Sequence, residues 1–295
     1  MEQEKGYLLI AAASILWGTM GIFGKFAFAQ GVNPVTLTAL RISISSATVL
    51  IPMVLFKRNL LKIKRKDLPQ LVVFGMFAVA LQRIAYFYTV DLTTATIAAI
   101  MFYTYPIFVT AYASIFLKEK TTPSTIIAII LAFLGVALVV RAYDVSKLNA
   151  NILGLAFGML TSTLFTLYFL MVKRLRERYT NWTLLVYGDG IGAIALIPAL
   201  FHSSSQIVNY PLHLWYLILV IAWFPSLTAY LLFSYALKYV ESAKGSVLSI
   251  IEPLSAAAFS AVILGETFEY PQLVGVALSL TGILLLFHKS EIKDN

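Results

Sequence analysis

Residues 6–28 read GYLLIAAASILWGTMGIFGKFAF, an apolar run in which Lys25 is the one charged side chain. A hydrocarbon core about 30 Å thick needs roughly 20 apolar residues in an α-helix, so this run is long enough to cross a bilayer. It is too long for the apolar region of a signal peptide, and no small-residue cleavage site follows it. The run therefore predicts a first transmembrane helix.

Comparable runs recur along the whole chain. They are continuous and lack the alternation of apolar and polar residues that marks a membrane β-barrel. We therefore expect an all-α integral membrane protein with ten transmembrane helices, at about 6–28, 34–56, 69–90, 93–117, 122–141, 151–173, 181–201, 212–237, 242–264 and 271–288.

The composition agrees with a membrane location. Of the 295 residues, 60% are hydrophobic and 12% are charged, whereas soluble proteins carry about 25% charged residues. The net charge of +8 invites a nucleic-acid partner, but the basic residues fall in short loops between apolar runs, so we expect none. Because there is no cysteine and the three histidines are dispersed, we also expect no disulfide, metal site or cofactor.

The basic residues predict the orientation of the chain. If both termini are cytoplasmic, nearly all Lys and Arg side chains of the loops lie inside, and the outside loops carry Arg141 and Lys147 alone. Such a cytoplasmic excess is the usual topogenic signal. We expect a multi-pass protein of the cell (plasma) membrane with both termini in the cytoplasm.

The two halves of the chain resemble each other at separations of 147 and 148 positions. The matched pairs of rarer residue types are Gly6/Gly154, Ser14/Ser162, Lys25/Lys173, Asn33/Asn181, Tyr88/Tyr235, Pro106/Pro253, Glu119/Glu266 and Gly135/Gly282. Because each half has an odd number of spans, the second half enters the membrane upside down. The pattern predicts two inverted five-helix repeats, residues 1–147 and 148–295, around a central cavity.

A set of short motifs accompanies this repeat. They are Trp17-Gly18, Tyr88, Ala95, Pro106, Glu119 and Gly135 in the first half, and Tyr235-Ala236-Leu237, Glu252-Pro253, Leu264-Gly265-Glu266 and Gly282 in the second. With them, the chain resembles an EamA-type member of the drug/metabolite transporter superfamily over essentially its whole length. The resemblance implies alternating access and a cavity lined by spans other than the fifth and tenth. It leaves the substrate open, because the family carries amino acids, sugars, nucleotide conjugates, amines and drugs.

Charged side chains inside the predicted spans are the first candidates for a binding site. A charge in hydrocarbon costs about 3 kcal/mol or more, so it needs a partner or a wet cavity. Lys25 lies near the end of its span and can reach the interface. The deeper residues are expected to contact substrate or protons, or else to form structural ion pairs such as Arg41 with Asp189; they are Arg41, Arg83, Asp189 and Glu252.

Aromatic side chains away from the membrane interfaces are the second group of candidates. Hydroxyl and indole groups at this depth need polar partners, which a cavity wall or a neighbouring helix can supply. The candidates for the cavity wall are Trp17, Tyr86, Tyr103, Trp223 and Tyr230.

Pro106 and Pro253 interrupt the fourth and ninth spans in matched places. Proline removes a backbone hydrogen bond and bends a helix, so we expect these bends to shape the cavity or act as gating points; a static kink is the alternative. Glu119 and Glu266 end the same two spans, and we expect them to cap the helix that follows each, with a gating role as the alternative.

These residues predict a secondary transporter, not an enzyme, because no phosphate-binding loop, G-x-S-x-G or H-E-x-x-H motif is present. The leading expectation is an exporter of a small polar or amphipathic metabolite such as an amino acid, with Arg41 and Arg83 holding a carboxylate. The alternative is a proton-coupled carrier of an organic cation or quaternary amine, with Glu252 or Asp189 pairing the charge. The expected partners are this small molecule, membrane lipids and protons, in a monomer or homodimer.

Overall fold

The computed structural model describes residues 2–93, 95–116, 118–119, 121–144, 151–265 and 267–288. Over these residues the chain is all-helical. The longer helices, numbered in chain order, are α1 Glu2–Ala29, α2 Pro34–Phe56, α3 Arg65–Leu92, α4 Ile97–Phe116, α5 Pro123–Val139, α6 Ile152–Leu175, α7 Asn181–Ala195, α8 Leu212–Ala236, α9 Ser242–Ile263 and α10 Tyr270–His288. Shorter helices lie at Arg58–Leu61, Ile197–His202 and Ser204–Ile207.

Seven helices of the described residues are long and apolar enough to cross a membrane. They are α1, α2, α3, α4, α6, α8 and α9. Two more apolar helices, α5 and α10, are shorter, and α7 continues after Leu196 into Ile197–His202. The prediction of a multi-pass, all-α membrane protein is confirmed, whereas the number of ten spans stays a prediction. The predicted boundary between the repeats, at residues 147 and 148, lies outside the described residues.

The starts of several helices follow from local sequence. The side chain of Asn33 accepts a hydrogen bond from the Val35 amide at the start of α2, and Thr122 accepts one from Thr125 at the start of α5. Both caps are followed by a proline, whose fixed φ and missing N–H suit the first helical position. These caps set where the chain turns back into the bundle.

Glycines let the helices of the two halves approach closely. A Cβ on Gly6 in α1 would lie 2.6 Å from Val240, and it would also crowd Tyr239. A Cβ on Gly154 in α6 would clash with Thr93 and lie 3.0 Å from Leu92. These two contacts join the start of α1 to the end of α8 and the start of α6 to the end of α3.

The α5 and α10 helices cross at a second pair of glycines. Gly135 in α5 approaches the backbone of Gly275, and a Cβ on Gly282 in α10 would lie 2.8 Å from the carbonyl oxygen of Ala128. Small residues allow such close packing between membrane helices. The two helices therefore form a tight pair.

Two helices contain a wide turn. Residues Phe74–Leu81 of α3 and Ala222–Thr228 of α8 are π-helical. Such turns are rare and are often found at functional sites. Each turn ends two residues before a predicted site residue, Arg83 in α3 and Tyr230 in α8.

Candidate functional site

An ion pair joins α3 to α7 in the centre of the bundle. Arg83 Nη1 lies 3.3 Å from Asp189 Oδ1, and both side chains are at least nine-tenths buried. Ser45 of α2 donates a hydrogen bond of 3.0 Å to Asp189 Oδ2. The alternative pairing of Asp189 with Arg41 is therefore wrong: the carboxylate is taken up by Arg83 and Ser45.

Arg41 of α2 is buried near this pair but has weaker partners. Its Nη1 reaches Ser226 Oγ at 3.4 Å and Met20 Sδ at 3.6 Å. Among the described residues, no carboxylate forms an ion pair with Arg41. This cation therefore lacks the charged partner that a buried guanidinium normally requires.

Aromatic rings connect the basic residues to the middle of α4. The guanidinium of Arg83 lies 4.9 Å from the ring centroid of Tyr230, and Tyr230 lies 5.0 Å from Trp17. From Trp17 the contacts continue through Phe165 and Phe102 to two further predicted rings, with Phe102 at 5.1 Å from Tyr103 and 6.0 Å from Tyr86. We call this set, with Arg41, Arg83, Asp189 and Glu252, the central cluster.

Glu252 of α9 lies close to Tyr103 and Tyr86. It is half-buried. Within the described part of the chain, no Lys or Arg forms an ion pair with it. Glu252 is thus an unpaired acidic group in aromatic surroundings.

Several buried polar atoms of this region have no hydrogen-bond partner among the described residues. They include the indole Nε1 of Trp17 and the Nε of Arg83. Leaving a buried donor unsatisfied costs about 1–3 kcal/mol. Both donors belong to the central cluster, which is the arrangement expected where a ligand completes the hydrogen bonds.

Trp223 is the predicted site residue that the structure keeps apart. It is 42% exposed, and its Nε1 donates a hydrogen bond of 3.0 Å to Thr48 Oγ1 on the surface of α2. It lies within the π-helical turn of α8, where side chains depart from regular α-helical spacing, so its depth in the span does not indicate which face of the helix it occupies.

The helices α4 and α9 are interrupted just before their prolines. α4 loses helical geometry at Tyr103–Thr104, ahead of Pro106, and α9 does so at Ser249–Ile250, ahead of Pro253. Neighbouring side chains satisfy the carbonyls that are freed: Ser162 Oγ donates to Phe102 O at 3.2 Å, and Tyr105 donates to Ser246 O at 3.1 Å. Both breaks adjoin the central cluster.

The sequence profile of the EamA-like transporter family matches the chain twice, over residues 4–141 and 152–288. This chain belongs to the EamA-like transporter family. The family resemblance drawn from the sequence motifs is confirmed.

Similar curated proteins support the same assignment to the EamA-like family. An uncharacterized transporter of Archaeoglobus fulgidus is 28% identical, over 96% of this chain and 97% of its own length. The uncharacterized transporter YetK of Bacillus subtilis is also 28% identical, over 99% of this chain and 90% of its own. A solved crystal structure aligns over 99% of both chains with a TM-score of 0.82 at 16% identity, which shows that the fold is shared.

At one end of the bundle, this EamA-like protein carries a polar contact between three helices. Lys173 Nζ at the end of α6 lies 2.6 Å from Glu119 Oε1 and 2.8 Å from Ser242 Oγ. Glu119 Oε2 accepts a hydrogen bond of 2.9 Å from the Ser242 amide at the start of α9. We call these three residues the latch. The expectation that Glu119 caps the following helix is wrong, because Thr122 caps α5; Glu266 lies outside the described residues.

A second polar contact lies at the same end of the bundle as the latch. Asp67 at the start of α3 accepts hydrogen bonds from Arg178 at 2.9 Å and from the Tyr179 hydroxyl at 2.7 Å, in the connection between α6 and α7. Burial, together with the hydrogen bond to Asp67, raises the pKa of Tyr179 above its ordinary value. The hydroxyl therefore stays protonated and keeps donating at physiological pH.

Two residues that contact the central cluster, Tyr168 and Ser45, were not predicted from the sequence. Tyr168 stacks 5.6 Å from Phe165 and lies 5.5 Å from Tyr230, and Ser45 binds Asp189. Tyr168 is three residues from Phe165 on α6, so helical spacing from that residue was an available signal. Ser45 has no such signal, since serine is common at packing contacts.

Proposed function

We propose that this EamA-family protein is a secondary transporter that exports a small zwitterionic metabolite, such as an amino acid, across the plasma membrane by alternating access. The observation that carries the proposal is Arg41, a buried cation beside the Arg83–Asp189 pair that forms no ion pair within the described residues. A substrate carboxylate supplies its missing partner, and Glu252, which also forms no ion pair within those residues, is the acidic group that we assign to a substrate ammonium. The Trp17 indole and the Arg83 Nε offer further donors to its carboxylate.

The carboxylate site differs from the one expected from sequence. Arg83 is already neutralised by Asp189 and lies against Tyr230, so Arg41 is the cation that remains for a substrate carboxylate. The aromatic rings of Trp17, Tyr86 and Tyr103 then receive the apolar part of the molecule.

Two inverted five-helix repeats, residues 1–147 and 148–295, are the proposed basis of alternating access. Matched features support them. Gly6 and Gly154 contact positions that are themselves 147 apart, and so do Gly135 and Gly282. The π-helical turns and the helix breaks before Pro106 and Pro253 recur within one residue of that separation, and the family profile matches each half once. In this scheme ten helices cross the bilayer, both termini are cytoplasmic, and the two prolines act as hinges.

Counterflow of labelled solutes in sealed proteoliposomes tests the proposal. We expect accumulation of a labelled amino acid, loss of it in Arg41→Gln, and unchanged protein abundance. Absence of counterflow for every amino acid with the wild-type protein would refute the zwitterion assignment. Conversion of the labelled solute into another compound would instead indicate an enzyme.

A proton-coupled carrier of an organic cation is the second candidate. It is favoured by the aromatic surroundings of Glu252, since a carboxylate and aromatic faces together bind quaternary amines. In that case quaternary amines alone stabilise the protein in a thermal-shift screen, Glu252→Gln abolishes the effect, and Arg41→Gln leaves it intact.

The orientation has its own test. Because the sequence contains no cysteine, single cysteines at Lys62 and Ser205 give labelling without background. A membrane-impermeant maleimide is expected to label Ser205→Cys in intact cells and Lys62→Cys only after the cells are opened. Equal labelling of both from outside would contradict the proposed topology.

A further inference from the structure

A groove with a volume of about 490 Å³ lies between α4 and α5, away from the central cluster. Its walls include Ile107, Ala111, Ile126, Ile130 and Leu134. None of the residues that form the central cluster lines it. The groove is therefore a separate cavity on the flank of the bundle.

The groove opens sideways, through apolar side chains. Ile107 on α4 and Ile126, Ile130 and Leu134 on α5 are all exposed. Since α4 is long enough to span a membrane, the medium beside this opening is lipid hydrocarbon. An acyl chain is the occupant that the walls favour, because apolar surface gains nothing from contact with water.

The lining of the groove also includes hydroxyl groups. Thr110 is buried, and its Oγ1 has no hydrogen-bond partner among the described residues. Ser114 follows one helical turn later, and Thr121 lies beyond the end of α4. A purely apolar occupant leaves the Thr110 hydroxyl unsatisfied, which costs about 1–3 kcal/mol.

A basic residue follows the end of α4. Lys118, two positions after the end of α4, is exposed and has a φ of 55°. Along the second half of α4 and just beyond it, the chain thus carries apolar residues, hydroxyl groups and then a cation. That order matches the acyl chains, glycerol esters and phosphate of a phospholipid, read from the membrane interior outward.

We propose that the groove between α4 and α5 is a binding site for one phospholipid. An acyl chain lies between Ile107, Ile130 and Leu134. Ser114 donates a hydrogen bond to an ester oxygen, and Thr110 does so after its side chain rotates toward the groove. Lys118 pairs with the phosphate. The proposal needs only the membrane-spanning fold and does not depend on which solute the protein transports.

Native mass spectrometry of the full chain, purified in mild detergent, tests this site. The probe is phosphatidylglycerol, added back after delipidation. In Ala111→Trp the indole fills the groove, in Thr110→Val the hydroxyl is lost at nearly constant shape, and in Lys118→Asn the charge is lost in a residue type that tolerates positive φ. Val262→Trp, at an exposed position of α9, is the matched control for the added ring.

We expect the wild type and Val262→Trp to retain one phosphatidylglycerol, Ala111→Trp to lose it, and the two milder variants to bind it more weakly. Free glycerol phosphate is expected to bind to none of them, which separates a lipid from its headgroup. Retention by Ala111→Trp, or equal affinity of Thr110→Val, Lys118→Asn and the wild type, overturns the proposal. Dissociation of a dimer by Ala111→Trp with unchanged lipid binding also overturns it, since the groove is then an interface between two copies.

Discussion

The guanidinium of Arg83 lies against the ring of Tyr230, at 4.9 Å from its centroid, and the two residues are 147 positions apart in the sequence. They thus stand at corresponding places in the two halves of the chain. In the proposed repeat, Arg83 and Tyr230 are equivalent positions of the two halves. Contact between equivalent positions is expected on the pseudo-two-fold axis that relates the halves. The ion pair with Asp189 then binds this contact to α7.

Tyr230→Leu is predicted to destabilise the protein more than Tyr230→Phe. Phenylalanine keeps an aromatic face for Arg83, whereas leucine removes it, and a desolvated cation–π contact contributes about 2 kcal/mol. Thermal unfolding in detergent measures the difference. Equal melting temperatures for the two variants would show that the ring face does not stabilise Arg83.

Asp189→Asn is predicted to lower stability strongly. Breaking a buried ion pair by removing one partner costs about 3–5 kcal/mol, because the other charge stays buried and unpaired. The double variant Arg83→Met/Asp189→Asn removes that charge and is expected to regain part of the loss. If chemical denaturation finds the double variant less stable than the single one, the unpaired charge is not the cause.

Pro253→Ala is predicted to reduce the transport rate more than the protein abundance. Alanine restores a backbone donor and lets α9 close its break at Ser249–Ile250, which removes the proposed hinge. Pro52→Ala is the control, because Pro52 lies inside α2, a helix that contains neither break. Initial rates in proteoliposomes, normalised to protein content, are compared for both; an unchanged rate in Pro253→Ala argues for a static kink.

Glu119→Gln is predicted to loosen the latch. It removes the charge that faces Lys173, and a hydrogen bond to a charged group contributes about 1.5–3 kcal/mol. We expect a cysteine placed at the buried position Ala113 to react about tenfold or more faster with a soluble maleimide in this variant. Glu177→Gln, at an exposed position near the same end, is the control; the same acceleration there would point to a general charge effect.

Gly6→Ala and Gly21→Ala are predicted to have opposite effects. A Cβ on Gly6 meets Val240 at 2.6 Å, and such overpacking costs about 1–3 kcal/mol. At Gly21 no atom lies within 4 Å of the added Cβ, so the higher helix propensity of alanine is expected to stabilise α1 by up to about 1 kcal/mol. Melting temperatures of the two variants give the comparison, and a destabilised Gly21→Ala would show that α1 is packed there in another state.

The positions of the helices were predictable because every transmembrane helix needs an apolar run long enough to cross the hydrocarbon core. The predicted second span, 34–56, coincides with α2 Pro34–Phe56, and the predicted eighth, 212–237, differs from α8 Leu212–Ala236 by one residue. A break in apolarity sets such ends, and local caps such as Asn33 fix them further.

Side-chain partners were less predictable than helices. The pairing of Asp189 with Arg41 was one alternative, suggested by their corresponding places in the two halves. The partner found, Arg83, depends on how α3 rotates against α7, which no local pattern encodes. Trp223 was predicted from its depth in the span, but depth does not indicate the face of the helix, and α8 departs from regular α-geometry at Ala222–Thr228.

The wide turns at Phe74–Leu81 and Ala222–Thr228 have a consequence for how the site is built. A π-turn holds one more residue between hydrogen-bonded partners than an α-turn, so the helix beyond it is out of phase by about 100° with a regular continuation. Deleting one residue from the turn in α3 would carry Arg83 around the helix, away from Tyr230, without changing the identity of either. The angular phase of two helices, rather than their composition, thus decides which groups meet at the centre of the protein.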